Sequence, residues 1–223
     1  MKSSRATFVV LAAVALGLSG CASHAVGPFN PGDRWPPGAA NAPGAVIGVR
    51  IYAETYLNGR EEGTSLRSLN LWSEETVRAY EESALFRAVK AGSIEADPKT
   101  GALVDPEAGL EGVDIRADVR LVERQKANWV MSLLTGVTAF IIPSKVTSDF
   151  DVKTTFRDKT GKVLGVVETT NAADTWQQLF LVVVMPWYYP TSVEREVIFD
   201  LNRAAIIEAG GKGIFAAKQA AAP

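Results

Sequence analysis

Val113-Asp114-Ile115-Arg116-Ala117-Asp118-Val119-Arg120-Leu121 alternates apolar and charged residues without a break. Side chains on a strand point to opposite faces in turn, so this run predicts a strand with Val113, Ile115, Ala117, Val119 and Leu121 on a core and the charges in water. Downstream, Phe150, Val152, Thr154 and Phe156 alternate again. Asp158-Lys159-Thr160-Gly161 has turn chemistry, and residues 163–169 return as the second arm of a hairpin. Upstream, residues 46–52 are rich in β-branched side chains and predict a first strand, with a turn at Asn58-Gly59. Residues 60–71 fit neither period and read as a short strand or a loop.

Two stretches carry helical spacing. From Ser73 as N-cap, Val77, Tyr80, Ala84 and Ala88 share a stripe widened by Leu85 and Val89, and Gly92 stops it. Thr191 and Glu194, at capping-box spacing, open a last helix with Val193, Val197, Leu201, Ala204 and Ala205 on one face and Gly210-Gly211 at its end. Asp97-Pro98 and Asp105-Pro106 mark a long loop before residue 113. The expected fold is α+β: a mainly antiparallel sheet with two helices packed on one face, in a single domain over residues 46–210. Residues 211–223, ending in alanines and a proline, read as a flexible tail.

Composition narrows the chemistry. The 223 residues contain one cysteine, Cys21, which leaves no partner for an internal disulfide, and one histidine, His24, which lies in the leader-proximal stretch, so a His-centred triad or His-ligated zinc site in the domain would lack its central residue. The 25 acidic and 23 basic residues are interspersed, which leaves no basic footprint for nucleic acid. No enzyme activity, cofactor or metal is expected.

Two uncharged segments, residues 127–143 and 175–190, carry the functional question. One enters the hairpin and the other leaves it, so both belong at the end of the sheet opposite the hairpin turn. Trp129, Phe140, Trp176, Phe180 and Trp187 within them are the candidate contacts for lipid or for a protein partner. Plain core is the alternative. A third possibility is a pair of membrane spans, although helices of such length are marginal for a bilayer.

The amino terminus supplies the address. Lys2 and Arg5 precede an apolar run over residues 8–18, which ends in Leu18-Ser19-Gly20-Cys21. This arrangement resembles the signal of bacterial lipoproteins. The resemblance implies a signal peptide over residues 1–20, cleavage before Cys21 and acylation of its sulfur and amine. Ala22, in place of aspartate, implies the outer membrane, with the domain in the periplasm. Five prolines and four glycines between Ala22 and Ala45 make residues 21–45 the expected tether. The element order also resembles small periplasmic lipoprotein domains of secretion-pore and transport-accessory type. The function expected is non-catalytic: a lipid-anchored structural, assembly or interaction component of the envelope, or else a module that binds or transports lipid.

Overall fold

The computed structural model describes residues 20–26, 35–37, 44–92, 109–138, 141–178, 181 and 187–215. Its strands are β1 (Gly20–Ala25), β2 (Val46–Leu57), β3 (Arg60–Glu62), β4 (Ala88–Ala91), β5 (Ile115–Ala127), β6 (Ser144–Asp158) and β7 (Val163–Gln178). Three helices join them, α1 (Leu66–Glu82), α2 (Trp129–Val137) and α3 (Pro190–Gly211). The seven strands form one sheet in the order β1-β7-β6-β5-β2-β3, with β4 also paired to β2.

The α+β class and the hairpin agree with the sequence, but the sheet is mixed. β2 runs parallel to both β5 and β4, while β1, β7, β6 and β5 alternate in direction. The physical reason is α1. It starts at Ser65, whose hydroxyl accepts from the Ser68 amide at 3.1 Å, and buries Leu69, Trp72, Thr76, Ala79 and Tyr80. It stops at Ser83, beyond which Ala84 takes a φ of 54°. The helix expected from Ser73 to Gly92 therefore begins earlier and ends sooner. Ala88–Ala91, counted into it by spacing, is instead a strand laid parallel on β2, in a β-α-β crossover. The ambiguous stretch resolves into β3, a short loop and the first turn of α1. Asn58 and Gly59, at φ 49° and 82°, make the turn before it, as their residue types require.

Residues 115–121 behave as the alternation over 113–121 predicts, while Val113 lies before the strand and is half-buried. Ile115, Ala117, Val119 and Leu121 are at most 1% exposed, and face Phe150, Val152, Thr154 and Phe156 across the β5–β6 ladder's neighbouring rows. α1 and α3 contact each other, and both contribute to the same core as the sheet. Trp72 meets Phe150 edge-on at 6.5 Å, and the Thr169 hydroxyl donates to the Leu201 carbonyl at 3.1 Å. α3 begins with Pro190 at its first position and has no side-chain cap. Glu194 does not complete a capping box but accepts a 2.6 Å hydrogen bond from the Trp72 indole.

Both flanks of the expected domain differ from the sequence reading. Residues 20–25, assigned to signal and tether, form an edge strand on β7, since nothing in Cys-Ala-Ser-His-Ala forbids pairing before the prolines begin. β1 ends in the row of Ala173, Ser148, Gln125 and Leu57, where β2 also ends, whereas β2 begins at the hairpin-turn end of the sheet. Trp35, on the segment between them, packs edge-on against Phe199 of α3 at 6.2 Å, with Arg203 over its ring. At the other flank the expected tail over 211–223 starts too early. Gly213, at φ 69°, turns Ile214 and Phe215 back into the core. Gly165 is needed there, because a Cβ on it would lie 2.4 Å from the Ile214 Cδ1. Phe215 stands edge-on between Phe86 and Phe156, 5.2 Å from each.

Candidate functional site at the Cys21 end of the sheet

Strand register brings the candidate residues together. Cys21 pairs with Gln177 and Gln177 with Ser144, while Val146 pairs with Ala127, so the row through Cys21, Gln177 and Ser144 points at Trp129. At about 4.8 Å per strand, Cys21 and Trp129 are separated by roughly 15 Å along one edge of the sheet. Tyr188 joins this edge through its carbonyl, which accepts from the Ser23 amide at 2.8 Å. Trp176 lies on the open face beside Lys145, whose ammonium is 5.7 Å from the ring.

Much of the apolar sequence here is uncovered. Asn128 caps α2 through its side-chain oxygen, which accepts from the Val130 and Met131 amides, and α2 buries only Thr135. Trp129 is 72% exposed, Leu133 58%, Val137 77% and Trp187 74%, and Ile141 and Tyr188 are exposed beside them. The plain-core reading therefore fails for residues 129–137. The two-span reading fails as well. Nine residues of α2 extend only about 14 Å, and residues 127 and 144 sit in adjacent strands at one end of the sheet, so the segment leaves and returns on one side. Residues 175–178 are strand, and no helix among the described residues is long and apolar enough to cross a membrane. Phe140 and Phe180 lie outside the described residues.

Behind this edge, on the helix side of the sheet, two clefts adjoin. One, of about 360 Å³, is lined by Cys21, Arg67, Leu71, Tyr189 and Glu194. The other, of about 260 Å³, is lined by Ser23, Glu123, Gln125, Ser148, Thr175 and Glu194. Burial pushes the Glu123 carboxyl above the usual carboxylate range, against the hydrogen bonds it accepts from Gln125 and Ser148. Burial also raises Glu194, outweighing the Trp72 indole, and the negative charge of Glu123 adds to the rise. Neither has an ion-pair partner within 4 Å among the described residues. Burial raises the Cys21 thiol too, so an unmodified Cys21 is held as thiol rather than as nucleophilic thiolate.

Spacing had not singled out these carboxylates. Glu123 has a visible signal nonetheless, since it continues the inward-facing parity of Leu121 and so places a charge on the core side of β5. His24 lies on the opposite face of the sheet, its Nε2 4.0 Å from Asp174. Among the described residues no three His, Cys, Asp or Glu side chains are grouped to hold a metal ion.

The open face of the sheet is a lattice of opposite charges. Asp118 lies between Arg50 at 2.8 Å and Arg157 at 2.9 Å, and Glu54 takes both Arg120 donors at 2.9 Å. The cations of these groups are each paired with a carboxylate, Asp118 serving two of them.

No protein-family model matches this chain, and no curated protein matches it. Among solved structures it is similar to a minor lipoprotein from Acinetobacter baumannii, at 12% identity and a TM-score of 0.35, covering 78% of this chain and 92% of that one. It is also similar to a PelC dodecamer from Paraburkholderia phytofirmans, at 10% identity and a TM-score of 0.27, covering 84% and 96%. Likeness at this level carries neither fold nor function across.

Proposed function

We propose that this chain is a lipid-anchored envelope protein, held by acyl groups on Cys21 and resting its apolar end on the same bilayer. The observation that carries this reading is the shared row: the residue that would carry the lipid lies at the sheet end where Trp129, Leu133, Val137 and Trp187 are exposed. An exposed apolar patch on a surface already tethered gains from high effective concentration, and tryptophan and tyrosine suit the interface. The lipobox-like signal followed by Ala22 supports the outer membrane, with the domain in the periplasm. The protein acts by binding, as a structural or assembly component. The clefts are open and of mixed lining, with Arg67, Glu123 and Glu194 among the apolar residues, which favours this reading over a lipid carrier with an enclosed apolar cavity.

One observation favours a second reading. Glu123 and Glu194 converge in one cleft with raised pKa values, the arrangement that carboxylate acid-base chemistry requires. An unesterified glycan or other neutral substrate hydrolysed by the wild type and left intact by Glu123→Gln would establish it.

The test of the main reading is expression of the full chain with labelled palmitate, followed by density separation of the two membranes. Label in the outer-membrane fraction, lost together with membrane association in Cys21→Ser, is the expected result. Unlabelled wild-type protein in the soluble fraction would refute the anchor.

A further inference from the structure

We propose that the surface this end of the domain fits is a zwitterionic bilayer, and that anionic lipid adds nothing to its binding. The inference rests on the reading that the apolar end meets a membrane, and it follows from the charges bordering that end. A peripheral protein that seeks anionic lipid presents free lysines and arginines around its apolar contact, each gaining about fivefold in affinity near a charged surface.

Three of the bordering cations are already engaged. Lys126, three residues before Trp129, donates to Asp149 at 2.6 Å, and Lys145, beside Trp176, is 2.6 Å from Asp174. Arg124 is paired with Asp151. Arg67, at the cleft beside Cys21, faces the side of Glu194, which is not itself neutralised by contact. At the β2–β3 turn, which lies at this same end, exposed Arg60 is followed by exposed Glu61 and Glu62. Among the described residues of the rim, carboxylates thus balance cations, and α2 itself carries no charge. The contact is driven by apolar burial, with a rim whose charges balance and so give an anionic surface no net attraction.

The experiment is vesicle flotation of residues 21–223 carrying Cys21→Ser, which keeps β1 and removes the anchor. Vesicles of phosphatidylcholine and phosphatidylethanolamine are compared with the same mixture containing phosphatidylglycerol, each at low and high salt. Equal or weaker binding to the anionic vesicles, with salt leaving the zwitterionic binding unchanged, is the expected result. Binding that rises severalfold with phosphatidylglycerol and is lost in salt would overturn the charge argument while leaving the membrane contact standing. No flotation with any composition would overturn the membrane contact itself, and the lipid preference with it. A Leu133→Ser/Val137→Ser variant that floats as well as the parent would also overturn it, since it would place the contact elsewhere.

Discussion

Replacing Phe215 by alanine tests the boundary on which sequence and structure disagree most directly. Phe215 is 6% exposed and stands edge-on to Phe86 and Phe156 at 5.2 Å, linking the end of α3 to β6 and to the loop after α1. A buried phenylalanine cut to alanine costs about 3–5 kcal/mol, and the edge contacts contribute roughly 0.5–1.5 kcal/mol each within that loss. In a domain of this size each kcal/mol moves the midpoint by about 2–4 °C, so Phe215→Ala lowers Tm by roughly 6–20 °C. Phe215→Leu keeps most of the volume and costs under about 2 kcal/mol. Urea unfolding followed by tryptophan fluorescence, with calorimetry beside it, measures both. A flexible tail over 211–223 predicts no change for either variant. A loss under about 1 kcal/mol for the alanine variant would refute the packing argued here.

Other expectations follow from the same contacts. Gly165→Val puts branched carbon where the Ile214 side chain now lies, 2.4 Å from a Cβ, and costs about 1–3 kcal/mol by denaturant midpoint, with Ile214→Ala restoring part of it. Glu123→Gln changes the pH dependence of stability. Because the native carboxyl holds its proton to higher pH than the unfolded chain does, wild-type stability falls as pH rises from about 4.3 through the native pKa, and the amide removes that fall. The variant's Tm relative to wild type therefore grows as pH rises from about 4.3 through the native pKa, and a constant difference would contradict it. Leu133→Ser/Val137→Ser leaves Tm within the roughly 0.5 kcal/mol expected of surface changes, because both side chains are exposed. A large loss of Tm would mean that α2 is packed rather than open.

What the sequence reveals depends on whether a period runs uninterrupted. Residues 113–121 and 150–156 alternate strictly because one face is buried and the other wet, and those strands lie where alternation places them. Ala88–Ala91 has no such pattern; its two alanines fit a helix stripe as readily as a strand, and the parallel pairing to β2 decides between them. Ser73 looks like a cap but is buried in the middle of α1, while Ser65 does the capping. β1 escapes notice because a short edge strand needs only one partner and little side-chain burial. The gathering of the two apolar segments at one end was legible from hairpin topology alone. The meeting of Glu123 with Glu194 was not, because it depends on how α3 settles across β7 and β1.

For a chain acylated at Cys21, β1 gives the anchorage a mechanical direction. Load enters at the first residue of a strand that runs away from the bilayer, so a pull along the membrane normal stretches β1 along its own axis. Its ladder to β7 then resists in shear, with the perpendicular hydrogen bonds sharing the force. A sideways drag peels the same edge strand one bond at a time and meets far less resistance. Once β1 yields, the chain pays out as far as Trp35, where the ring wedged on Phe199 and Arg203 is the next fixed point. The 13 residues between Cys21 and Trp35 can span at most roughly 50 Å at full extension, enough for the sheet to lift off the membrane while its core remains folded.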